Sequence, residues 1–267
     1  MSREKLKSLK RIVIKIGTNS IMRPGQQVDF RKLDRIAFVC SSLQQEGYEV
    51  ILVSSGAVGV GAAMLKVSDY PKEISEQQAL ASVGQGALMN LYSRFFRAYQ
   101  QFVGQILITR DVVDFPSSKY NCQTAINTLL KKGIIPIINE NDAISVDEMN
   151  HQTKFGDNDT LSAIVARLIE ADLLVIMSDV DGLYDKNPKL HSDAELLDHI
   201  SAITPEVLAM AGGSGSTFAT GGMETKLRAA ELILANQQAM IITSAADPTV
   251  LFDIVAGEKV GTLFSQV

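Results

Sequence analysis

The sequence predicts an α/β protein, with the three-layer α/β/α arrangement of a mostly parallel central sheet. Short apolar runs of strand length alternate along the chain with segments whose apolar residues follow the helical period. Such runs are typical of parallel strands buried on both faces, and the alternation predicts helices on both sides of the sheet. The chain carries no repeat, low-complexity tract or proline-rich linker, so residues 1–267 are predicted to form a single domain.

Six strands are expected, at residues 12–16, 50–53, 105–108, 134–138, 173–177 and 240–242. The first helix is expected to begin after Asp29, whose carboxylate can accept hydrogen bonds from the first backbone N–H groups. It ends near Gly47, and its apolar positions repeat with the helical period at Leu33, Ile36, Ala37, Cys40 and Leu43. Further helices are expected at residues 76–100, 117–132, 159–170, 222–235 and 249–256.

The composition excludes several classes of protein. Lys and Arg number 25 against 30 Asp and Glu, a formal charge of -5 that is opposite to the footprint of a nucleic-acid-binding protein. The longest apolar runs are far shorter than the roughly 20 residues that span a bilayer, and the basic N-terminus lacks the apolar stretch of a signal peptide. Two cysteines, Cys40 and Cys122, are too few for a disulfide framework or a zinc site and are expected in the core. We therefore expect a cytoplasmic protein without nucleic-acid or membrane partners.

Ligands of open α/β sheets bind beyond the carboxyl ends of the strands. The first strand ends at Lys15 and Gly17, and the second runs into the small-residue loop that contains Ser55 and Gly56. Both features suit an anion such as a phosphate, although a solvated lysine and a tight turn are the alternatives. Neither a dinucleotide fingerprint, which fails at its third glycine, nor a Walker A sequence is present.

Two acidic segments carry the strongest signal. Asn139-Glu140-Asn141-Asp142 follows the fourth strand, and Gly156-Asp157-Asn158-Asp159 opens the next helix. Their carboxylates would repel one another unless a metal ion or an ammonium group bound between them. Helix capping could explain one aspartate but not the whole set. The intervening segment 143–155 is expected to form a hairpin over the site, or simply a surface hairpin.

Two further segments, a strand end and a glycine-rich loop, also favour the binding of an anion. An apolar strand ends at Ser178 and Asp179, and a glycine-rich loop precedes a helix that carries Lys226 in its first turn. Backbone donors, the helix dipole and the ammonium would be directed at one anion, with a flexible linker as the alternative. The three histidines show neither metal spacing nor a Ser-His-Asp arrangement, which disfavours nucleophilic catalysis by the protein.

Six motifs resemble, in the same order, those of the amino acid kinase family, and among its members those of the glutamate 5-kinases. They are the segments 13–18, 53–58, 138–142, 156–159, 178–184 and 220–226, within a resemblance that covers residues 11–264. The resemblance implies the amino acid kinase fold and transfer of the γ-phosphoryl group of ATP, with Mg²⁺, to the side-chain carboxylate of L-glutamate. This reaction is the first step of proline synthesis. A γ-carboxylate is ionised at neutral pH, so such a reaction needs no general base.

The resemblance also assigns residues. Lys15 and Lys226 would bind phosphates, and Asp157 would organise the two lysines. Glutamate would be bound by Ser55, Gly56, Asp142 and Asn158, and ATP by Ser178, Asp179 and the loop residues Thr220, Gly221, Gly222, Met223, Glu224, Thr225 and Lys226. Proline is implied as a feedback inhibitor, self-association as a homo-oligomer, and glutamyl phosphate reductase as a recipient of the product. Many relatives carry an additional C-terminal PUA domain, and residues 1–267 show no resemblance to one.

Three alternatives stay open at this stage. The chain could be another amino acid kinase with a different carboxylate or carbamate acceptor. It could be a nicotinamide-dependent oxidoreductase, although the incomplete glycine fingerprint counts against that. It could also be a non-catalytic amino acid sensor, against which the retention of both lysines and Asp157 argues.

Overall fold

The structure is a computed structural model that describes residues 2–67, 71, 73–145, 157–188, 190–211 and 222–266. The chain divides into two compact units. One comprises Met1–Lys15 with Asp159–Val267, and the other comprises Ile16–Asn158. The single domain expected over residues 1–267 stays a prediction.

Ten strands and nine α-helices lie in the described residues. The strands are β1 (Arg11–Ile16), β2 (Met22–Arg23), β3 (Gln27–Val28), β4 (Glu49–Ser54), β5 (Val103–Ile108), β6 (Ile135–Glu140), β7 (Leu173–Ser178), β8 (His199–Ile200), β9 (Ala239–Ser244) and β10 (Thr262–Phe264). The helices are α1 (Phe30–Gln45), α2 (Ala57–Leu65), α3 (Ile74–Ala98), α4 (Asp111–Asp114), α5 (Pro116–Lys131), α6 (Asn158–Leu168), α7 (Pro205–Met210), α8 (Gly222–Leu234) and α9 (Val250–Val255). Within this part of the chain, no helix is both long and apolar enough to cross a membrane.

All six expected strands and all six expected helices are confirmed to within two residues at either end. In the unit Ile16–Asn158 the order of the paired strands is β5-β6-β4, and both pairings are parallel. In the other unit the order is β1-β7-β9-β10-β8, with β9 parallel to β7 and antiparallel to β10. The predicted α/β class with a mostly parallel sheet is therefore confirmed.

The prediction that every strand is buried on both faces is wrong for β5. Strands β6, β7 and β9 are buried almost throughout, whereas Gln105 and Leu107 of β5 are exposed. The physical reason is position, because β5 is a terminal strand and, within the part of the chain that the structure describes, pairs with β6 alone. Since successive side chains of a strand alternate between faces, Gln105 and Leu107 lie on the same face of β5, and this face is exposed.

Helix α1 begins and ends where the sequence predicts. The Lys32 backbone N–H donates to the Asp29 carboxylate at 3.2 Å, which satisfies one free donor of the first turn. A hydrogen bond from Arg23, which outweighs the effect of burial, holds the pKa of Asp29 below its ordinary value. The helix stops shortly before Gly47, whose φ of 98° favours glycine. Its predicted apolar positions are buried, Cys40 among them.

Helices α2 and α3 pack with their backbones in contact. A Cβ at Gly84 of α3 would overlap the Ala57 carbonyl oxygen and the Gly61 backbone nitrogen of α2. A Cβ at Gly61 would in turn overlap the Leu80 carbonyl oxygen. Both positions must therefore be glycine for this approach, and the contact fixes α3 beside the loop that follows β4.

We expect Gly84→Ala to lower the free energy of unfolding by about 2 kcal/mol or more, because the added methyl group meets backbone that cannot rotate away. Gly86→Ala is the matched control two residues along α3, where a Cβ would meet nothing within 4 Å. That change should raise stability by up to about 1 kcal/mol through helix propensity alone. Urea denaturation of both variants measures the difference, and similar stabilities would contradict the backbone contact.

Candidate active site

Two lysines converge on one buried carboxylate in the unit that contains β1, α6 and α8. Lys15 Nζ lies 2.7 Å from Asp159 Oδ1, and Lys226 Nζ lies 3.2 Å from Asp159 Oδ2. The exposed fractions of the three side chains are 11%, 8% and 4% in the order Lys15, Lys226, Asp159. Asp159 therefore bridges the end of β1 and the first turn of α8. We call Lys15, Asp159 and Lys226 the charged cluster.

The first turn of α8 supplies further contacts to the charged cluster. Thr225 Oγ1 donates to Asp159 Oδ2 at 2.8 Å, and Lys226 Nζ donates to the Gly222 carbonyl oxygen at 2.7 Å. The Lys226 side chain thus folds back over its own helical turn, as residues four apart on a helix allow. These contacts place the ammonium group beside the N-terminus of α8, where anions are stabilised by free N–H groups and the helix dipole.

The charged cluster is electrostatically unbalanced. Burial disfavours the ionised form of Asp159, but the nearby Lys15 and Lys226 outweigh it and hold the pKa of Asp159 below its ordinary value. The carboxylate is therefore ionised at neutral pH, and it neutralises only one of the two ammonium groups. A phosphate oxygen would neutralise the remaining positive charge with charge-assisted hydrogen bonds.

The structure places Asp159 in the bridging position that the resemblance implied for Asp157. Side chains two positions apart at the start of a helix point in different directions, so only one of the two aspartates is expected to face both lysines. Asp159 is buried, whereas Asp157 is half-buried. Helix geometry thus predicts that one aspartate faces the lysines, and only the contacts and burial in the structure identify it as Asp159.

Ser55 and Asn158, two of the four residues predicted to bind glutamate, are hydrogen-bonded to each other in the unit Ile16–Asn158. Asn158 Nδ2 donates to Ser55 Oγ, and also to Asn139 Oδ1 at 3.3 Å. Asn139, at the end of β6, is 2% exposed and donates through Nδ2 to Gln85 Oε1 of α3 at 3.0 Å. We call Ser55, Asn158, Asn139 and Gln85 the amide chain.

Gly56 has a geometric reason to be glycine. Its φ is 111°, and a Cβ there would lie 2.6 Å from Ile21 Cδ1. The left-handed conformation turns the backbone between β4 and α2. It therefore holds Ser55 and the start of α2 in their places.

A cavity of about 330 Å³ lies in the same unit. This volume falls at the lower end of the range for small-molecule sites, about 300–1,000 Å³. Its lining includes the predicted residue Asp142 and the amide-chain residue Gln85, together with Ala57, Ala81, Ser82, Gly86, Gln105, Leu107, Glu140, Asn141 and Ala143. The two carboxylates of the lining, Glu140 and Asp142, lie among neutral side chains and favour a ligand that carries an ammonium group.

The residues predicted to bind ATP are only partly described. Ser178 is buried at the end of β7 and donates to Asp179 Oδ1 at 3.1 Å, while Asp179 itself is exposed. Glu224 forms an exposed ion pair with Arg228 of the next helical turn. Met223 is half-buried. Thr220 and Gly221 lie outside the described residues, as do residues 146–155 of the expected hairpin.

We expect Asp159→Asn to lower the free energy of unfolding at neutral pH by about 3 kcal/mol or more, because two buried ammonium groups lose their counter-charge. The folded-state pKa of Asp159 lies below its unfolded-state value of about 3.9. The stabilisation is therefore complete above that value and disappears as the pH falls through the folded-state pKa. Urea denaturation of both proteins at a series of pH values should show the difference shrinking towards the acid end.

Asp198→Asn is the matched control, because Asp198 also pairs with two cations, Arg3 and Lys259, but its side chain is 49% exposed. Exposed ion pairs contribute about 0–1 kcal/mol. An equal loss of stability in the two variants would contradict the role given to burial.

Comparisons with known proteins identify the family of the chain. The model of the amino acid kinase family matches residues 10–244. A glutamate 5-kinase of Lactococcus lactis subsp. lactis is 53% identical over 266 residues, covering 100% of this chain and 98% of that protein. A glutamate 5-kinase of Listeria innocua is 54% identical over 264 residues, covering 99% and 96%.

Solved structures show the same fold at low sequence identity. Carbamate kinase from Giardia lamblia, bound to AMP-PNP, is 18% identical with a TM-score of 0.67, covering 98% of this chain and 100% of that one. UMP kinase from Bacillus anthracis is 17% identical with a TM-score of 0.64 and 96% coverage of both chains. The sequence match over most of the length and the shared fold lead to one conclusion: the chain belongs to the amino acid kinase family.

Proposed function

We propose that the chain transfers the γ-phosphoryl group of ATP to the γ-carboxylate of L-glutamate and forms L-glutamyl 5-phosphate, the first step of proline synthesis. The identity of more than half the residues to glutamate 5-kinases of the same length supports the substrate. The structural observation that carries the chemistry is the pair of lysines on the buried carboxylate of Asp159. The same identity disfavours another amino acid kinase acceptor, a nicotinamide-dependent oxidoreductase and a non-catalytic sensor.

The chemistry depends on charge neutralisation. A γ-carboxylate with a reference pKa of about 4.3 is ionised at neutral pH, so it attacks without a general base. The obstacle is repulsion between this anion and the triphosphate, together with the charge that develops as the phosphoryl group moves. Lys15 and Lys226 supply two positive charges whose positions are fixed by Asp159. The role of Asp157 stays a prediction.

The acceptor amino acid is proposed to bind through the cavity and the amide chain. Asp142 would bind the ammonium group of glutamate by charge pairing. Both Asn158 Nδ2 contacts are made to protein acceptors, so its Oδ1 is the atom that can accept a hydrogen bond from that ammonium group. Ser55 and Gly56 complete the predicted acceptor residues.

Ser178, Asp179 and the loop from Thr220 to Lys226 are proposed to hold ATP, accompanied by Mg²⁺. In the described ranges, no group of three His, Cys, Asp or Glu side chains could hold a metal ion. In kinase sites Mg²⁺ is typically bound by one or two carboxylates together with the phosphates. The residues present therefore fit an ion held chiefly by the nucleotide, which would add positive charge beside the lysines.

Self-association, a reductase partner and a cytoplasmic location complete the proposal. Large apolar side chains are exposed close together in the sequence at Phe102, Leu107, Val113, Phe115 and Tyr120. Exposed apolar side chains of this size occur at protein interfaces, and on this ground a homo-oligomer is proposed. An acyl phosphate is easily hydrolysed, so transfer to glutamyl phosphate reductase would protect the product.

A hydroxamate assay tests the proposed reaction. With ATP, Mg²⁺ and L-glutamate, the acyl phosphate should be trapped by hydroxylamine as a coloured hydroxamate, while L-aspartate in the same assay should give none. Equal colour from aspartate would favour a different acceptor, and no colour from glutamate would overturn the proposed function.

In that assay we expect Lys15→Ala and Lys226→Ala each to lower kcat by about 100-fold, because each lysine stabilises charge that develops in the transition state. Lys259→Ala is the control, since its side chain is 81% exposed. Circular dichroism confirms that each variant is folded. An unchanged kcat in either cluster variant would remove that lysine from the catalytic assignment.

Proline is proposed to inhibit the chain by competing with glutamate, because it shares the α-carboxylate and the ammonium group but lacks the γ-carboxylate. Excess glutamate should therefore relieve the inhibition, and Asn158→Ala should weaken it. Initial rates at several proline and glutamate concentrations measure both effects. Inhibition that excess glutamate cannot relieve, or that Asn158→Ala leaves unchanged, would place proline elsewhere.

A further inference from the structure

Gln85 lines the cavity and ends the amide chain, but no role of its own has been given to it above. Its Oε1 accepts from Asn139 Nδ2 at 3.0 Å, and Asn139 Oδ1 accepts from Asn158 Nδ2 at 3.3 Å. Asn158 Nδ2 also donates to Ser55 Oγ. Three carboxamides are thus connected in series, from a helix residue that lines the cavity to a proposed substrate-binding residue.

The series has a direction, since a carboxamide donates at its nitrogen and accepts at its oxygen. Asn139 presents its oxygen to Asn158 because its nitrogen is engaged by Gln85. At 2% exposure, the nitrogen of Asn139 has little access to water and needs a protein acceptor. If that acceptor were lost, the Asn139 nitrogen would be buried without a partner, so the amide of Asn139 would no longer be held with its oxygen towards Asn158. Asn158 would then lose its orientation.

Helix α3 is held firmly enough to act as the fixed end of this series. Gly84, the neighbour of Gln85, is in backbone contact with α2. Two turns further along α3, the Tyr92 hydroxyl and Ser54 Oγ are 2.7 Å apart, and both side chains are buried. The residue before Ser55 and the residue that orients Asn158 are therefore both anchored to one helix.

We propose that Gln85 is a positioning residue for the acceptor amino acid, acting through Asn139 to point Asn158 Oδ1 at the substrate ammonium group. This inference rests on the proposed function, because it takes Asn158 to bind the acceptor. It assigns Gln85 an effect on substrate affinity rather than on the transfer step. Gln85 itself need not touch the substrate.

The test is a double-mutant cycle with Gln85→Met, Asn158→Ala and the combined variant. Methionine has nearly the length and helix propensity of glutamine but cannot accept the hydrogen bond from Asn139. We expect Gln85→Met to raise KM for glutamate about tenfold, the typical effect of losing one buried hydrogen bond. KM for ATP and kcat should stay within about twofold, since binding is lost equally in ground and transition states.

In the Asn158→Ala background, Gln85→Met should raise KM for glutamate by less than about twofold, because residues that act through one another are not additive. Gln77→Met is the matched control: Gln77 is a half-buried glutamine of α3 that donates to the Pro71 carbonyl oxygen at 2.9 Å. It should leave KM unchanged. Melting temperatures of all variants separate a loss of folding from a loss of affinity.

The outcomes distinguish this inference from the proposed function. A wild-type protein that does not phosphorylate glutamate overturns both. If the wild type is active, the positioning role is overturned by an unchanged KM in Gln85→Met or in Asn158→Ala. It is also overturned by a full tenfold effect of Gln85→Met in the Asn158→Ala background, which indicates direct contact with the substrate. An equal loss of kcat and of ATP affinity in Gln85→Met would indicate a general structural defect and would also overturn the positioning role.

Discussion

The pairing of two lysines with the single buried carboxylate of Asp159 is the constraint on which the chemistry depends. Burying an ion is costly unless it is paired and hydrogen-bonded, and here three buried ions share two ion pairs. This requirement draws together the end of β1, the start of α6 and the start of α8. The arrangement leaves one positive charge in excess, which is what a site for phosphate groups needs.

In the unit Ile16–Asn158, neutral side chains are oriented by hydrogen bonds rather than by ion pairs. The amide chain carries no net charge, so its orientation depends on hydrogen-bond direction rather than on Coulomb attraction. Such a network is specific only if its members are held in place, and the close packing of α2 on α3 provides that. In the proposed function, the charge at Asp142 would select for an ammonium group, and the amides would determine how that group is oriented.

Much of the fold could be predicted because the signals are local. Apolar runs and helical periodicity gave each long element, and Asp29 and Gly47 marked the ends of α1 correctly. The exposure of β5 could not be predicted, since an edge strand and a central strand can have the same apolar run. Short elements such as β8 and β10 depend on tertiary pairing and carry little periodicity of their own.

Only some residues of the candidate site could be predicted, because again only local signals can be recognised in the sequence. Lys15, Lys226, Ser55 and Asn158 follow strand ends or open helices, so their positions along the chain mark them. The choice between Asp157 and Asp159 depends on the direction in which each side chain points at the start of α6. The sequence alone does not determine that direction. Gln85 is a lone glutamine inside a long helix, and only the hydrogen bond from Asn139 reveals it. An isolated glycine in a helix, as at Gly84, is a sequence sign of close packing but does not name the partner.

The excess positive charge of the charged cluster also determines how the protein responds to the salt around it. Ion pairs at the surface weaken as ionic strength rises, but pairs that are almost fully buried are screened much less. Sodium chloride should therefore leave the bridge on Asp159 nearly intact. Inorganic phosphate or sulfate can act differently, because a compact polyvalent anion can bind the excess charge directly instead of screening it. The identity of the buffer anion and its concentration together then determine how much of this site is occupied before a nucleotide binds.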